Sequence, residues 1–322
     1  MNYLISGCGG FIGYHLTNYI CKNNKESKIF GFDNINNFYS TSLKKKRIRN
    51  LKKNKNFFFN KIDLLEKKKI EKIFTTNKIN VVIHLAAQAG VRDSLSIPKS
   101  YFESNFKGFI NIISLSKKYK INKFIFASSS SVYGDQTKFP VNEKTLIVPK
   151  NIYAATKKIN EDIANDISKI SSMKIIGLRF FTVYGDFGRP DMFIFKYLNA
   201  LFNKKKFDLY NKGRHFRDYT HIDDVVEIID RLIKFNIRDN FNIFNICSNQ
   251  PIDINKLLLF ISKVLKLRPN LSMKKRNKIE VIKTHGSNKK ILKLLNYKIR
   301  KNIFEEIPKI VDWYKKNQIW KM

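Results

Sequence analysis

Tyr153 and Lys157, in the segment 153-YAATK, stand four residues apart in a stretch of helical pattern and so share one helix face. A phenol with an ordinary pKa of about 10 is a poor base at neutral pH. An ammonium one turn away favours the phenolate and brings its titration toward the working range. Taken alone, a Tyr–Lys pair at this spacing is common and usually lies on a plain helix surface. Ser129 precedes it by about two dozen residues at the end of the apolar run 123-KFIFA, and a glycine turn, 7-GCGGFIG, lies near the N-terminus. The three features together point to proton transfer by an activated tyrosine.

Gly7, Gly10 and Gly13 fall between an apolar strand pattern and an apolar helix pattern, with Phe11 and Ile12 opening the helix. A helix N-terminus offers unpaired N–H groups and positive dipole charge, which suits a pyrophosphate, and residues without side chains let it approach. A glycine pattern by itself is weak and often marks only a tight turn. Asp33, 20 residues past Gly13 at the end of the second strand pattern, strengthens it. A carboxylate there accepts ribose hydroxyls and repels a 2′-phosphate, so the expected cofactor is NAD rather than NADP. Asp63, closing 61-KID, is read evenly as an adenine contact or as a helix N-cap.

These residues need a scaffold that brings strand ends together. Strand patterns occur at 2-NYLIS, 28-KIFGFD, 56-NFFFNKI, 80-NVVIHLA, 123-KFIFAS and 174-KIIGLRFF, with helical stretches at about 11–23, 67–77, 99–119 and 151–170. Apolar strands alternating with helices imply a doubly wound parallel α/β sheet. Beyond residue 180 loops mix with short helices, one further strand at 241-FNIFNIC and a final helix at about 303–317. The expected division is a cofactor domain of residues 1–180 plus about 218–250. A smaller α/β substrate domain takes about 181–217 plus 251–322.

The 322 residues carry a net charge of +36, which ordinarily raises nucleic-acid binding. Lysine is spread over nearly every element, however, without a basic stripe interleaved with aromatics, so no nucleic-acid partner is expected. Runs such as 44-KKKRIR, 67-KKK and 204-KKK read as solvated faces and turns. No apolar run approaches the roughly 20 residues of a membrane span. The first residues show no secretory signal. Three scattered cysteines without CxxC spacing suit a reducing cytoplasm and argue against a disulfide framework or a zinc site. His84 reads as a core histidine, and His15 and His221 have no partners at ligand spacing, so no metal is expected.

The pieces 7-GCGGFIG, Asp33, 61-KIDL, 84-HLAAQAGVR, 123-KFIFASSSSVYG, 153-YAATK, 179-RFFTVYG and 217-RDYTHIDD run through nearly the whole chain. In that order they resemble the extended short-chain dehydrogenases/reductases of the nucleotide-sugar epimerase/dehydratase group. Within the group 84-HLAAQAGVR, 179-RFFTVYGDFGRPDM and 217-RDYTHIDDVVE are most similar to UDP-glucuronate 4-epimerases. The resemblance implies a Rossmann-type fold, a homodimer formed through the helices near 99–119 and 151–170, and a UDP-sugar substrate. It assigns NAD to Gly7, Gly10, Phe11, Ile12, Gly13, Asp33, Asn34, Asp63, Leu64, Leu85, Ala86, Ala87, Tyr153 and Lys157. Tyr153 is the base at the sugar 4-hydroxyl, Ser129 shares that proton, and Lys157 holds the nicotinamide ribose. Arg92, Ser130, Ser131, Thr182, Arg189 and Arg217 fall to the substrate.

Dehydratases of the group place Asp-Glu where this chain has Ser130 and Ser131, and the related decarboxylases have Glu at the second position. Hydroxyls there leave elimination without an acid and a base, and they hydrogen-bond a sugar carboxylate without repelling it. Thr182 suits the same task. Two positions depart from the resemblance: 277-NKIEV lacks the usual Pro-Gly turn, with Glu280 in place of its acid, and Asp93 replaces a tyrosine. The leading expectation is 4-epimerisation of UDP-glucuronate to UDP-galacturonate for surface polysaccharide. The alternatives are 4-epimerisation of a neutral or N-acetylated UDP-hexose, and a catalytically inactive basic binding protein.

Overall fold

β-Branched and aromatic runs alternate with amphipathic segments, and in the computed structural model, which describes residues 1–317, each run becomes a strand. Residues 318–322, the end of the expected substrate half, lie outside the described residues. The first half comprises β1 (Tyr3–Ser6), α1 (Phe11–Asn23), β2 (Ile29–Asp33), α2 (Thr41–Leu51), β3 (Phe57–Lys61), α3 (Lys67–Thr76), β4 (Val81–His84), α4 (Pro98–Tyr101), α5 (Gly108–Lys118), β5 (Lys123–Ser129), α6 (Ile152–Lys169) and β6 (Lys174–Phe180). There follow β7 (Thr182–Tyr184), α7 (Phe193–Phe202), β8 (Lys206–Tyr210), β9 (Phe216–His221), α8 (Ile222–Lys234), β10 (Phe241–Ile246), β11 (Pro251–Asp253), α9 (Ile254–Leu265), β12 (Asn270–Lys274), α10 (Lys289–Leu295) and α11 (Ile303–Asn317).

Seven strands form one sheet in the order β10-β6-β5-β4-β1-β2-β3, parallel throughout. All six strands expected in the first half lie in it, and the doubly wound α/β class holds. Both faces are covered: one core layer joins β1 to α1 and α8 through Leu16, Ile20, Val225 and Ile229, and the other joins β4 and β5 to α3 and α5 through Ile70, Phe109 and Ile112. Chain order reverses between β1 and β4, and a cleft opens outside the carboxyl ends of strands at such a switch point. A three-stranded sheet, β11-β9-β7, and a parallel pair, β12-β8, pack with α7, α9 and α11 around a third core containing Tyr197, Leu257 and Ile307.

Two elements differ from expectation. The run 44-KKKRIR is not a solvated face. It lies in α2, which begins at the cap Ser40 and buries Leu43, Lys44, Arg47, Ile48 and Leu51 on one side. Leucine and isoleucine on that stripe draw the helix onto the core, and the two cations at matching positions go in with them. The stretch 99–119 is interrupted by a π-helical turn at Phe102–Lys107. That turn swings Ser104 to the cleft and Asn105 inward, where it bonds Gln88 and Thr156.

Candidate active site

A single cleft of about 890 Å³ runs from the glycine turn to the smaller lobe. Gly7 has a φ of +74°, and a Cβ there would sit 2.7 Å from the Ala86 nitrogen, so only glycine allows β1 and β4 to end side by side. A Cβ on Gly13 would fall 2.1 Å from the Gly7 carbonyl. Gly10 is the N-cap of α1 and no side chain caps the helix, which leaves its first N–H groups for an anion. Phe11, Ile12, Leu64, Leu85, Ala86 and Ala87 line the same end. Asp33 accepts from the backbone N–H of Gly9 at 3.1 Å and of Ile35 at 2.8 Å and faces the cleft beside Asn34. Asp63 accepts from the Asn34 amide at 2.7 Å and from the Leu65 N–H, while the N-cap of α3 is Glu66. The N-cap reading of Asp63 is thereby removed, and its carboxylate instead borders the cleft.

At the middle of the cleft the side chain of Asn151 caps α6, accepting from the Ala154 N–H at 2.9 Å, so Tyr153 and Lys157 fall on the first turns of a well-started helix. Lys157 is buried, donates to the Ala127 carbonyl at 2.8 Å, and lies 5.9 Å from the centre of the Tyr153 ring. Burial lowers its ammonium from the ordinary lysine value to about 8, with Glu161 pulling the other way. Burial also raises the Tyr153 phenol, against a hydrogen bond from Ser129 and the charge of Arg189. Without further positive charge Tyr153 therefore stays protonated. Ser129 is held by a bond to Ser131, whose N–H it caps at 3.1 Å. Ser130 and Ser131 form the next turn, and both line the cleft. Ser128 belongs to a different network: it donates to Glu161 at 2.5 Å, and Glu161 pairs with buried Arg179. His84 bonds Ser6 at 2.7 Å in the core, and burial drives its pKa to about 3, as befits a neutral core histidine.

The far end carries the arginines. Arg189 lies against Asp191, reaches the Ala89 carbonyl at 3.4 Å and sits 5.8 Å from the Tyr39 ring centre. Its charge is reinforced by Asp191 despite burial. Arg217 uses one nitrogen on the carbonyls of Phe216 and Ile282, both at 2.9 Å, and burial lowers its pKa. Arg92 pairs with Glu280 across the cleft mouth and stacks 4.4 Å from the Tyr210 ring centre. Thr182 lines the wall nearby. Asp93 is on the cleft as well, its carboxylate 3.3 Å from where a Cβ of Gly90 would be. The sequence reading missed Lys44, Tyr39, Asp191 and Tyr210, all of which border the cleft. Only Lys44 left a signal: it shares the apolar stripe of α2 with Leu43, Ile48 and Leu51.

Among the described residues no group of histidine, cysteine and acidic side chains could hold a metal, and no helix is long and apolar enough to cross a membrane.

Known proteins share this arrangement. The chain is 37% identical to Protein CapI of Staphylococcus aureus over 331 residues, covering 98% of each. It is 34% identical over 317 residues to a UDP-glucuronate 4-epimerase of Thermodesulfobacterium geofontis, covering 98% of this chain and 96% of that protein. The crystal structure of UDP-glucuronic acid 4-epimerase from Bacillus cereus, in complex with UDP-glucuronic acid and NAD, superposes with a TM-score of 0.93 at 28% identity, over 98% of this chain and 99% of that one. The sequence model of the NAD dependent epimerase/dehydratase family matches residues 3–247, which span the glycine turn, the serine turn and the Tyr–Lys pair. Fold and sequence agree, and the chain belongs to the NAD-dependent epimerase/dehydratase family.

Proposed function

We propose that the protein is an isomerase that inverts C4 of a UDP-sugar with NAD as resident cofactor, and that the sugar is glucuronate. The observation that carries this reading is the serine turn: Ser129 lines the cleft with Tyr153, while Ser130 and Ser131 offer hydroxyls where elimination would need carboxylates. The glycine turn, with its uncapped α1 and the Asp33 carboxylate, fits a dinucleotide with free ribose hydroxyls. When bound, NAD accepts a hydride from C4 and returns it to the opposite face.

The chain's own residues do the rest. Tyr153 removes the 4-hydroxyl proton with Ser129 sharing the oxygen, and later returns it. Burial raises the Tyr153 phenol, and the positive charge that bound NAD would supply acts in the opposite sense. Lys157 holds the nicotinamide ribose. Arg217 and Arg189 hold the diphosphate while the 4-keto sugar turns over. Ser130, Ser131 and Thr182 orient the sugar carboxylate with neutral donors, which guards a β-keto acid against loss of CO2. Arg92, tied to Glu280, closes the nucleotide end.

Two further assignments belong to this reading. Residues 1–180 with about 218–250 form the cofactor part, and about 181–217 with 251–322 the substrate part. Leu95, Ile97, Phe102 and Ile159, each at least 40% exposed on or beside α4, the π-turn and α6, form the face on which two copies pair. We place the enzyme in the cytoplasm, in line with three free, buried cysteines.

A neutral or N-acetylated hexose is the second reading, favoured by Asp93, since an acid on the cleft opposes a uronate. Purified protein supplied with UDP-glucuronate or UDP-glucose, with C4 inversion followed by NMR, separates the two. Turnover of the neutral sugar alone would sink the uronate assignment. Tyr153→Phe should cut inversion by about 10²-fold or more while NAD stays bound; retained activity would remove Tyr153 from its role.

A further inference from the structure

Arg47 is among the largest fully buried side chains of the protein, at 0% exposure on α2. Burying a guanidinium is costly unless it is paired and hydrogen-bonded, and among the described residues Arg47 has no ion pair. Its two terminal nitrogens donate to oxygens of three separate segments, while its Nε is buried without a partner. One nitrogen donates to the Gly9 carbonyl at 2.9 Å and to the Tyr39 hydroxyl at 2.7 Å. The other donates to the Phe187 carbonyl and to the Gly188 carbonyl at 3.3 Å.

The acceptors adjoin two parts of the cleft wall, Gly9 beside Gly10 and Gly188 beside Arg189. Gly9 belongs to the turn that presents the N-terminus of α1, and its own N–H binds Asp33. Phe187 and Gly188 immediately precede Arg189, which lines the sugar end beside Tyr39. A second tie runs alongside: His15 of α1 bonds the Asp186 carbonyl at 2.9 Å. Gly188 lies close under the Phe195 ring, which a Cβ there would meet at 2.1 Å. A planar five-donor fork can hold carbonyls of two loops at once; an ammonium is a point charge and an apolar side chain holds neither.

We infer that Arg47 is a positioning residue that joins the cofactor turn to the Arg189 loop, so that occupation of one half of the cleft orders the other. The inference rests on the reading of the two half-sites given above, but not on the identity of the sugar or on turnover. Coupling of this kind is reciprocal: NAD tightens UDP binding by the same factor as UDP tightens NAD.

The test measures binding rather than activity. UDP affinity is determined by calorimetry on the full chain, loaded with NAD and freed of nucleotide, and hydrogen exchange is followed in the 182–192 segment. Wild type should bind UDP roughly tenfold more tightly when loaded, within the usual range of coupling factors, and NAD should slow exchange in that segment. Arg47→Lys should keep the fold while the ratio falls toward one and the NAD-induced protection is lost. Arg47→Met, neutral and of similar length, gives the same outcome should the lysine variant fail to fold. A purely structural role would weaken both affinities and leave their ratio intact. A wild-type ratio of one, or a folded variant with the wild-type ratio, overturns the inference. Absence of sugar turnover in a protein that shows the coupling would instead overturn the assigned reaction and leave the role of Arg47 standing.

Discussion

Tyr153 and Lys157 are both moved away from their charged forms by burial: the phenol is raised and the ammonium is lowered to about 8. The pair therefore rests as a neutral phenol beside a weakened cation until a cofactor adds charge, which ties basicity to cofactor occupancy. Lys157 also leaves a mark on stability. Its folded-state pKa lies below that of lysine in the unfolded chain, so the unfolded chain binds more protons from about pH 8 up to roughly 10.4. Lys157 thus penalises the fold at and below neutral pH, and stability recovers as the pH climbs through that window. Melting curves of nucleotide-free protein and of Lys157→Met across pH 7 to 10 check this: wild type should gain on the variant as pH rises, and parallel curves would contradict it.

At the scale of elements, β5 and α6 form the spine that carries Ser129, Tyr153 and Lys157. Their shared anchor lies beneath the site. Glu161, one turn beyond Lys157, accepts from Ser128 on β5 at 2.5 Å and from Arg179 on β6 at 2.9 and 2.7 Å, with both ion-pair partners no more than 5% exposed. Arg179 also donates to the Tyr133 hydroxyl at 2.9 Å, just past the serine turn. Removing one member of a buried pair strands the other, at a cost of about 3–5 kcal/mol. Glu161→Gln should therefore lower the unfolding free energy from urea melts by that amount, as a lower midpoint at unchanged slope, and a loss below about 1 kcal/mol would show that the network is not an anchor. The π-turn has a comparable task, because it seats Asn105 against Gln88 and Thr156 behind Tyr153.

For the molecule as a whole, the charge of +36 finds no single face: basic side chains are distributed over the helices, and two of them, Lys44 and Arg47, are buried at the cofactor end. Phe102 is 48% exposed and stacks with Phe106 at a 5.0 Å centroid distance, near exposed positions before α4 and on α6. If two copies pair there, wild type should elute as a dimer by light scattering at micromolar concentration, and Phe102→Asp should shift it to monomer without unfolding. A monomeric wild type would dispose of that interface.

Much of this protein is written locally. Parallel strands buried on both faces must be apolar throughout, so 80-NVVIHLA and 123-KFIFAS are legible as strands, and a glycine turn followed by an acid at the next strand end is legible as a cofactor site. That Tyr153, Lys157 and Ser129 face one cleft was legible for the same reason: helix period and strand end specify their directions. Tertiary structure decided what pattern cannot express. Lysine and arginine in 44-KKKRIR look like solvent-facing residues by composition, yet α2 turns Arg47 inward because carbonyls from positions 9, 187 and 188 converge on it. Arg92 acquires Glu280, and Tyr153 acquires a raised pKa, only when segments 188 residues apart meet and water is shut out. Direction along a helix or strand is a local property of the chain. Burial and partnership are properties of the segments that close over it.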